Sequence, residues 1–523
     1  MKNLIFCALI FINIVVLSCR REDKAAPPNI VYILADDLGY GDLEAFNKAG
    51  KIKTPNLDQM AKQGMIFTDA HTSSSVCTPT RYGILTGRYN WRSPLKKGVL
   101  SGTSAALIPK DRSTVASFLK SNGYQTAFIG KWHLGWNWTL KDSIFQNTPI
   151  KDHEIFEKID FTRNVTQSPN DLGFDYAYGH CGSLDMPPYV YVENERITAL
   201  VDTVTLRKGD YHWWREGPTA RDFDHEQVTP HLFDKAEAYI AEVSEKGAPF
   251  FLYLPLPSPH TPILPTDEWR GKSGLNPYAD FVMQIDHRVG KLNQLLEQLG
   301  ISENTMVIFT SDNGCSPQAK FDVLGAKGHD PSGIYRGHKA DIFEGGHRVP
   351  FIVKWPNIIK GGAINQRTIC TTDLLATCAD LLGKPLADNA GEDSFSMLPL
   401  FSKATEGDYL RSFTIHHSIN GSFAIRKGDF KFIFCPGSGG WSSPRPSKKE
   451  TLGLPKFQLY NLKDDPKEMV NLYGQKPKIE QELIALFKTA IEKGRTTAGV
   501  PQQNHPTHFS GLKWNPLTVF DVK

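Results

Sequence analysis

Residues 30–37 read IVYILADD, an apolar run that ends in two adjacent carboxylates. An uninterrupted run of this length is typical of a strand buried on both faces of a parallel sheet. Similar runs follow as TAFIG from Thr126, PFFLYLPL from Pro249 and TMVIFTS from Thr305, with amphipathic helical segments between them. The pattern predicts the α/β class, with a large, mostly parallel sheet flanked by helices.

The chain has 523 residues, more than one small core requires, and its pattern changes near residue 406. Short strands follow, and then one amphipathic helix near 477–493. This indicates a smaller C-terminal antiparallel sheet packed with a helix. The predicted divisions are a signal peptide at 1–18, a tether at 19–28, the main domain at 29–405, a C-terminal subdomain at 406–495 and a tail at 496–523.

The N-terminus, MKNLIFCALIFINIVVLSCRRED, has an early lysine and an apolar stretch too short to span a membrane comfortably. This layout predicts a secretory signal, and its end resembles a bacterial lipobox in which Cys19 becomes the lipidated N-terminus. We therefore expect an exported lipoprotein of the periplasm, outer membrane or cell surface, which meets a membrane only through a lipid on Cys19. An ordinary signal peptide or an uncleaved anchor is the alternative interpretation.

Charge and cysteine content exclude several classes of protein. The 59 Lys and Arg residues nearly balance the 56 Asp and Glu residues, so no overall basic field favours a nucleic acid partner. The eight cysteines include no CxxC pair, which argues against both a disulfide framework and a zinc ribbon. Any attraction for an anion is therefore expected to be local.

Polar side chains with catalytic or metal-binding chemistry follow four of the predicted strands. In chain order they are Asp36, Asp37, Lys131, His133, His260, Asp312 and Asn313. Ligands of an open parallel sheet bind beyond the carboxyl ends of its strands, so we expect these side chains to share one site. The pairs Asp36-Asp37 and Asp312-Asn313 offer only oxygen atoms as metal ligands, and oxygen ligands suit Ca²⁺ or Mg²⁺ better than zinc.

The stretch SSSVCTPTRYGILTGR, residues 73–88, contains the start of a helix and one cysteine. Thr78 is a suitable N-cap and Gly87 a suitable exit, so Cys77 is expected at the positive end of the helix. Arg81 lies one turn further along and adds a forked cationic donor. An anion is therefore expected to bind beside Cys77.

Together these motifs resemble the type I, formylglycine-dependent sulfatases of the alkaline phosphatase superfamily. The signature of that family, Cys-x-Pro-Ser/Ala-Arg and then Leu-Thr-Gly, appears as Cys77-Thr78-Pro79-Thr80-Arg81 and Leu85-Thr86-Gly87. The companion motifs ADD, GKWHLG, SPHTP, TSDNG, RGHK and EGGHRVP occur in the family's order, as does QLYNLKDDPKEMVNL near the C-terminus. The resemblance covers nearly all of the mature chain and makes residues 29–405 the expected catalytic domain.

The resemblance implies that Cys77 is oxidised to formylglycine. One hydroxyl of the aldehyde hydrate would attack the sulfur of a sulfate ester, and the other would then expel sulfate. The resemblance also implies one Ca²⁺ per subunit and a partner that oxidises the cysteine, either a formylglycine-generating enzyme or an anaerobic sulfatase-maturing enzyme. Thr80 stands where the family more often has Ser or Ala, which leaves its effect on this oxidation open.

Roles for individual residues follow from the same resemblance. The implied Ca²⁺ ligands are Asp36, Asp37, Asp312 and Asn313, together with the modified Cys77. Arg81 would stabilise the hydrate, and His133 would assist the release of sulfate. Lys131, His260 and Lys339 would bind the sulfate ester, with His260 also donating a proton to the leaving alcohol.

Export and the family resemblance together predict a sulfated glycan as the substrate, with its sulfate carried as an O-ester. The stretches LDMPPYVYVENER and EGGHRVP resemble arylsulfatase A-like and galactosamine-6-sulfatase-like enzymes. The residues expected to contact the sugar are Ser183, Asp185, His225, His416 and Trp441.

Two alternative functions remain at this point. A phosphatase or phosphodiesterase of the same superfamily would generally need a second metal and a Ser or Thr nucleophile, where this chain has Cys77. A non-catalytic glycan-binding lipoprotein of the cell surface would keep exposed aromatic residues, but would not need the polar residues at the strand ends.

Overall fold

The computed structural model describes residues 26–141, 155–403, 406–509 and 511–520. The predicted signal peptide, Cys19 and most of the tether lie outside these residues, as do residues 404 and 405 at the predicted domain boundary. Within the described parts of the chain, no helix is both long enough and apolar enough to cross a membrane.

Ten of the described strands form one large sheet. In spatial order they are β13 (Ala363–Asn365), β2 (Met65–Phe67), β12 (Phe351–Lys354), β11 (Thr305–Ser311), β1 (Asn29–Asp36), β10 (Phe250–Pro259), β4 (Gln125–Lys131), β5 (Tyr176–His180), β6 (Val192–Glu193) and β7 (Arg196–Ile197). The centre is parallel, because β1 pairs in parallel with both β10 and β11, and β4 and β5 continue the same direction. The predicted α/β class is confirmed, and antiparallel strands on both sides of this centre make the sheet mixed.

The other described strands form three smaller sheets. They are the pair β3 (Ala70–His71) and β14 (Ile369–Cys370), the hairpin β8 (Val201–Arg207) and β9 (Trp214–Ala220), and a four-stranded antiparallel sheet of β15 (Thr414–His417), β16 (Phe423–Lys427), β17 (Phe430–Ile433) and β18 (Gln458–Asn461). The four-stranded sheet is the antiparallel C-terminal unit that the short strands after residue 406 predicted.

Helices pack against the large sheet and against the C-terminal sheet. They are α1 (Pro55–Gln63), α2 (Cys77–Thr86), α3 (Val115–Ser121), α4 (Val228–Ser244), α5 (Pro277–Gln298), α6 (Phe321–Ala326), α7 (Glu344–His347), α8 (Leu374–Leu381), α9 (Lys448–Thr451) and α10 (Pro477–Glu492). α4 and α5 contact β10 and each other, while α2, α3 and α8 contact one another. Strand β1 lies in the middle of this arrangement, and from Ile30 to Ala35 it is at most 1% exposed.

Helix α2 differs from its sequence prediction at its start. It begins at Cys77 with Val76 as N-cap, and Val76 makes no side-chain capping bond. The prediction of Thr78 as N-cap is therefore wrong, because Thr78 lies inside the first turn and its hydroxyl accepts the backbone N–H of Leu100 (3.2 Å). The exit was predicted correctly, since Gly87 ends the helix with a φ of +62°.

A buried histidine cluster lies where the C-terminal sheet meets the main domain. His347 and His416 stack with ring centroids 4.0 Å apart, and Nδ1 of His71 lies 3.0 Å from Nδ1 of His347. Arg426 approaches Nε2 of His71 (2.9 Å) and Lys431 approaches Nε2 of His347 (3.0 Å). Two cations already face the ring nitrogens, and the stacked rings are nearly parallel. We therefore expect the rings to be neutral and to join the two parts of the chain by packing and hydrogen bonds, and not to bind a metal ion.

His417, next to this cluster, is a buried ring without a hydrogen-bond partner at either nitrogen. Burial lowers the pKa of His417 to about 3. An unfolded histidine titrates near pH 6.5, so below that pH the unfolded chain binds a proton that the folded chain refuses. This ring therefore lowers the stability of the fold as the pH falls.

We expect His417→Phe to make the protein less sensitive to acid. Below about pH 6.5 the buried ring costs about 1.4 kcal/mol of unfolding free energy per pH unit, and phenylalanine removes this dependence. Scanning calorimetry between pH 8 and pH 5 should show a smaller fall in Tm for the variant than for the wild type. The same change at the exposed His505 should leave the fall unaltered, and equal falls in wild type and His417→Phe would contradict the prediction.

Candidate active site

The carboxyl ends of four neighbouring strands, β11, β1, β10 and β4, hold the polar residues that the sequence predicted to share one site. β1 ends at Asp36 and β4 ends at Lys131. β11 ends one residue before Asp312, and β10 ends one residue before His260. Because the four strands run parallel, these side chains meet at one edge of the sheet.

Arg81 connects all four strand ends from helix α2. Its guanidinium donates to the carboxylates of Asp312 (Nε to Oδ2, 3.0 Å) and Asp36 (Nη2 to Oδ2, 3.2 Å). It also donates to the backbone carbonyls of Lys131 in β4 (2.7 Å) and Leu256 in β10 (3.4 Å). The side chain is fully buried, so one cation aligns the ends of four strands.

Lys131 and Arg81 both face Asp36. The Lys131 ammonium donates to Asp36 Oδ2 and to the hydroxyl of Ser183 (2.6 Å). Burial alone would raise the pKa of Asp36, but the charges of Lys131, His260 and Arg81 lower it below its ordinary value. Burial and the charge of Asp36 raise the pKa of the neighbouring Asp312 to about 7.

Asp37 is the second centre of the site and adopts a left-handed backbone conformation, with φ of +67°. Its carboxylate accepts hydrogen bonds from Asn313 Nδ2 (2.7 Å) and Lys339 Nζ (2.8 Å), and Nε2 of His260 lies 3.7 Å away. Burial alone would lower the pKa of Lys339, but Asp37 and Cys77 raise it above its ordinary value. Lys339, which lies about 300 residues from Asp37 along the chain, therefore joins the site as an ammonium ion.

The oxygen atoms of this group fit a hard metal ion. Ligand atoms of Asp36, Asp37 and His260 all lie within 4.8 Å of one another. Oδ1 of Asp36 and Oδ1 of Asn313 are buried and have no hydrogen-bond partner. A bound cation is one partner that such orphaned acceptors can take, and carboxylate and amide oxygens are the ligands that suit Ca²⁺.

Cys77 is the first residue of α2 and is 2% exposed. Burial raises the pKa of its thiol to about 11, although Lys131 and Lys339 pull in the opposite direction. The residue is therefore a neutral thiol at neutral pH, despite its place at the positive end of a helix. Thr80, one turn below, donates its hydroxyl to the carbonyl of Ser74 (3.0 Å) and lies fully inside the fold.

The two histidines of the site are held in defined tautomers when neutral. Nε2 of His133 lies 2.7 Å from the carbonyl of Leu100, so this nitrogen carries the proton and Nδ1, which has no partner, is an acceptor. Nδ1 of His260 lies 2.5 Å from the carbonyl of Thr261, so Nε2 is the acceptor in that ring. Burial lowers the pKa of both histidines, with Lys131 acting further on His133 and Lys339 on His260.

Three of the five expected sugar contacts come from one segment of the chain, between residues 183 and 225. The hydroxyl of Ser183 accepts a hydrogen bond from Lys131, as described above, so Ser183 lies at the strand-end site. Asp185 is 4% exposed, and its backbone carbonyl and carboxylate hold Arg215 of β9. His225 stacks on Trp214 with ring centroids 3.9 Å apart.

The other two expected sugar contacts come from the C-terminal unit and differ sharply. Trp441 is 40% exposed, and its backbone N–H donates to Asp341 (2.7 Å), two residues from Lys339. His416 is fully buried in the histidine cluster, and its Nδ1 faces the carbonyl of Thr72 (2.9 Å). The structure therefore separates His416 from solvent and from any sugar, because the C-terminal sheet packs its ring inward.

Two residues of the site were missed by the sequence interpretation. His180 ends β5 beside Lys131, and its Nε2 is buried without a partner. Its strand, YAYGH, is short and carries no long apolar run, so the rule that polar residues follow strands did not single it out. Asp341 is fully buried under the turn of Lys339, and no local pattern distinguishes it from an ordinary turn residue.

Comparison with known proteins agrees with this geometry. The sequence model of the sulfatase family matches residues 28–384. The N-acetylgalactosamine-6-O-sulfatase of Bacteroides thetaiotaomicron is 34% identical over 510 residues, covering 88% of this chain and 93% of the relative. Human arylsulfatase A is 32% identical over 491 residues, covering 91% of this chain and 89% of the relative.

One solved structure, from work on the metabolism of multiple glycosaminoglycans by Bacteroides thetaiotaomicron, superposes with a TM-score of 0.76. It is 32% identical, and the match covers 89% of this chain and 99% of that one. These matches, together with the strand-end site, define the class of the protein as a sulfuric ester hydrolase. The chain belongs to the type I sulfatase family and hydrolyses sulfate esters.

We expect Arg81→Met to destabilise the fold and to abolish sulfate ester hydrolysis, because it leaves Asp312 buried without a cation. Removing one partner of a buried pair costs about 3–5 kcal/mol, which denaturant unfolding can measure. Arg92→Met is a matched control, since Arg92 is equally buried and pairs with Asp393 (2.8 Å) outside the site. Both variants should lose stability, but only Arg81→Met should lose turnover in its folded fraction; retained turnover there would contradict this role.

Proposed function

We propose that this sulfatase removes O-sulfate from a sulfated glycan by means of a formylglycine made from Cys77 and one bound Ca²⁺. The observation that carries the proposal is the position of Cys77 at the start of α2. One turn away on the same helix, Arg81 binds both Asp36 and Asp312, the carboxylates of the proposed metal site. A nucleophile built at position 77 would therefore act beside the ion.

The buried thiol itself supports a need for modification. Its pKa of about 11 leaves almost no thiolate at neutral pH, so unmodified Cys77 is a poor nucleophile. Formylglycine, when present, supplies an oxygen nucleophile through its hydrate. The proposed metal ligands are Asp36, Asp37, Asp312, Asn313 and the modified Cys77. A Ca²⁺ held there supplies a fixed positive charge against the charge that builds on the sulfuryl oxygens.

The two lysines are proposed to bind the sulfate group. Lys131 and Lys339 are each held by a carboxylate, Asp36 and Asp37 respectively, so both ammonium groups are oriented before substrate arrives. Preorganised charges of this kind stabilise a developing negative charge more effectively than solvent does. Arg81, on helix α2, adds a third positive charge to those of the two lysines.

The histidines are proposed to move protons at opposite ends of the reaction. His133 has an unpartnered Nδ1 that can accept a proton from the hydroxyl at position 77, which assists the release of sulfate. His260 must carry a proton on Nε2 to donate it to the leaving alcohol. A bound sulfate ester adds negative charge beside His260, which raises the pKa of the ring toward that protonated state.

The substrate is proposed to be a sulfated carbohydrate, in keeping with the names of the relatives. The bacterial relative is named an N-acetylgalactosamine-6-O-sulfatase, so 6-O-sulfated N-acetylgalactosamine is the first sugar to test. Ser183, Asp185, His225 and Trp441 are the proposed sugar contacts. Trp441 adds an exposed ring on which a sugar face can stack, and Ser183 already touches the sulfate-binding Lys131.

Export as a lipoprotein and maturation by a formylglycine-generating or anaerobic sulfatase-maturing enzyme remain part of the proposal. Export rests on the apolar stretch and Cys19 at the N-terminus, and maturation rests on the signature around Cys77. Labelling of the mature chain with a lipid precursor tests the first, and co-expression with a maturing enzyme tests the second.

We expect Cys77→Ala to abolish hydrolysis of an aryl sulfate and of 6-O-sulfated N-acetylgalactosamine, because no oxygen nucleophile can form. Mass analysis of the peptide around residue 77 in active wild-type protein should find the aldehyde in place of the thiol. Cys378→Ala, at a buried thiol outside the site, is the matched control and should retain activity. An intact thiol in fully active protein, or hydrolysis of aryl phosphate in preference to aryl sulfate, would overturn the proposal.

We expect Asn313→Ala to weaken Ca²⁺ binding by about tenfold or more, since it removes a ligand oxygen that has no other partner. Isothermal calorimetry of the chelator-treated protein measures this directly, whether or not position 77 is oxidised. Asn293→Ala, at a side chain of α5 that bonds the carbonyl of Val289, is the control and should bind Ca²⁺ as the wild type does. Equal affinities in the two variants would remove Asn313 from the ligand set.

A further inference from the structure

The turn that carries Lys339 has a strained backbone. Ala340, directly after the lysine, has a φ of +80°, and Gly337 before it has a φ of +79°. A left-handed alanine is unfavourable and persists only where the surrounding structure holds it. Two backbone bonds anchor the turn to the site, from Lys339 N–H to the carbonyl of Cys315 (2.9 Å) and from Ala340 N–H to that of Ser75 (2.8 Å).

The carboxylate of Asp341 ties this turn to the C-terminal unit. Its Oδ1 accepts the backbone N–H groups of Trp441 (2.7 Å) and Ser442 (3.0 Å), and its Oδ2 accepts that of His338 (3.0 Å). The side chain is fully buried, and the nearest titratable partner is the ring of His338, 3.5 Å away. One carboxylate therefore joins the residue before Lys339 to a loop about 100 residues further along the chain.

The loop of residues 437–442 packs closely against the turn that carries Lys339. Ile342 N–H donates to the carbonyl of Ser438 (2.8 Å), beside the bonds to Asp341. A Cβ at Gly440 would lie 2.4 Å from the carbonyl oxygen of Ala340 and 2.5 Å from Oδ1 of Asp341. Other residues can adopt the backbone conformation of Gly440, so its φ does not explain the glycine. Glycine is required there because a Cβ would come too close to Ala340 and Asp341.

We propose that Asp341 is a positioning residue for Lys339, through which the C-terminal loop 437–442 holds the Lys339 ammonium against Asp37. The inference rests on the proposed role of Lys339 in binding the sulfate ester. Without the bonds from Asp341 to Trp441 and Ser442, the turn is tied to the C-terminal unit only by the backbone bonds of Ile342 to Ser438 and of Ile419 to Ala340. Ala340 then relaxes toward negative φ. The ammonium then moves from the place where it meets the sulfate.

Two substitutions test this from opposite sides of the contact. Asp341→Ala removes the acceptor, and Gly440→Ala pushes the loop away from the turn by adding a Cβ against Ala340 and Asp341. Both should raise KM for an aryl sulfate, and the inhibition constant of inorganic sulfate, by about tenfold, with a smaller change in kcat. Asp341→Asn keeps an acceptor for Trp441 and Ser442 and should recover most of the loss.

The matched control is Gly325→Ala in α6, where an added Cβ meets nothing within 4 Å. This variant should keep the KM of the wild type. A purely structural role of Asp341 would instead lower Tm and the active fraction at unchanged KM, and that result overturns the proposal.

A double-mutant comparison isolates the coupling to Lys339. In a Lys339→Ala background, Asp341→Ala should add no further increase in KM, whereas an additive increase would overturn the proposal. A crystal structure of Asp341→Ala gives a readout without activity: Lys339 Nζ should lie beyond hydrogen-bonding distance of Asp37, and an unmoved ammonium overturns the inference. If Lys339→Ala alone left KM unchanged, the proposed function of Lys339 would fail while the crystallographic test of Asp341 remained valid.

Discussion

The buried guanidinium of Arg81 is the interaction on which the rest of the site depends. It donates to groups from β1, β4, β10 and the end of β11, and thereby aligns four strand ends around the start of α2. Parallel strands bring Asp36 and Asp312 together, and two buried carboxylates repel each other unless a cation lies between them. Arginine suits this place because its planar fork offers several donors in fixed directions, whereas a lysine offers a single point charge.

The same principle extends outward from Arg81. Three carboxyl groups, Asp36, Asp37 and Asp312, face three cations, Arg81, Lys131 and Lys339, so each buried acid lies against a positive partner before any ligand arrives. Each lysine is held by a carboxylate that also belongs to the proposed metal site. Substrate binding and metal binding are therefore proposed to share the same few side chains, which explains why the cluster is so compact and so deeply buried.

In this arrangement, we propose that the C-terminal unit contributes residues to the active site. Its sheet packs His416 against the main domain, and its loop 437–442 reaches the turn of Lys339 and displays Trp441 beside it. The change of sequence pattern near residue 406 therefore marks a boundary between two sheets, although we propose that both sheets serve the same site. The four-stranded sheet carries the loop that we propose to position Lys339.

Apolar runs followed by acidic, basic or histidine residues were enough to predict the central strands and the shared site, because burial and strand direction are local properties. The signature around Cys77, together with its companion motifs in the family's order, predicted the family from the sequence. Sequence patterns did not predict the start of α2 at Cys77, the inward packing of His416, the place of His180 beside Lys131 or the three bonds of Asp341. Those features depend on contacts between segments as much as 344 residues apart, such as Thr72 with His416. Only the folded chain decides which of its polar groups meet, because hydrogen bonds and charges act over a few ångströms in space, whatever the distance along the sequence.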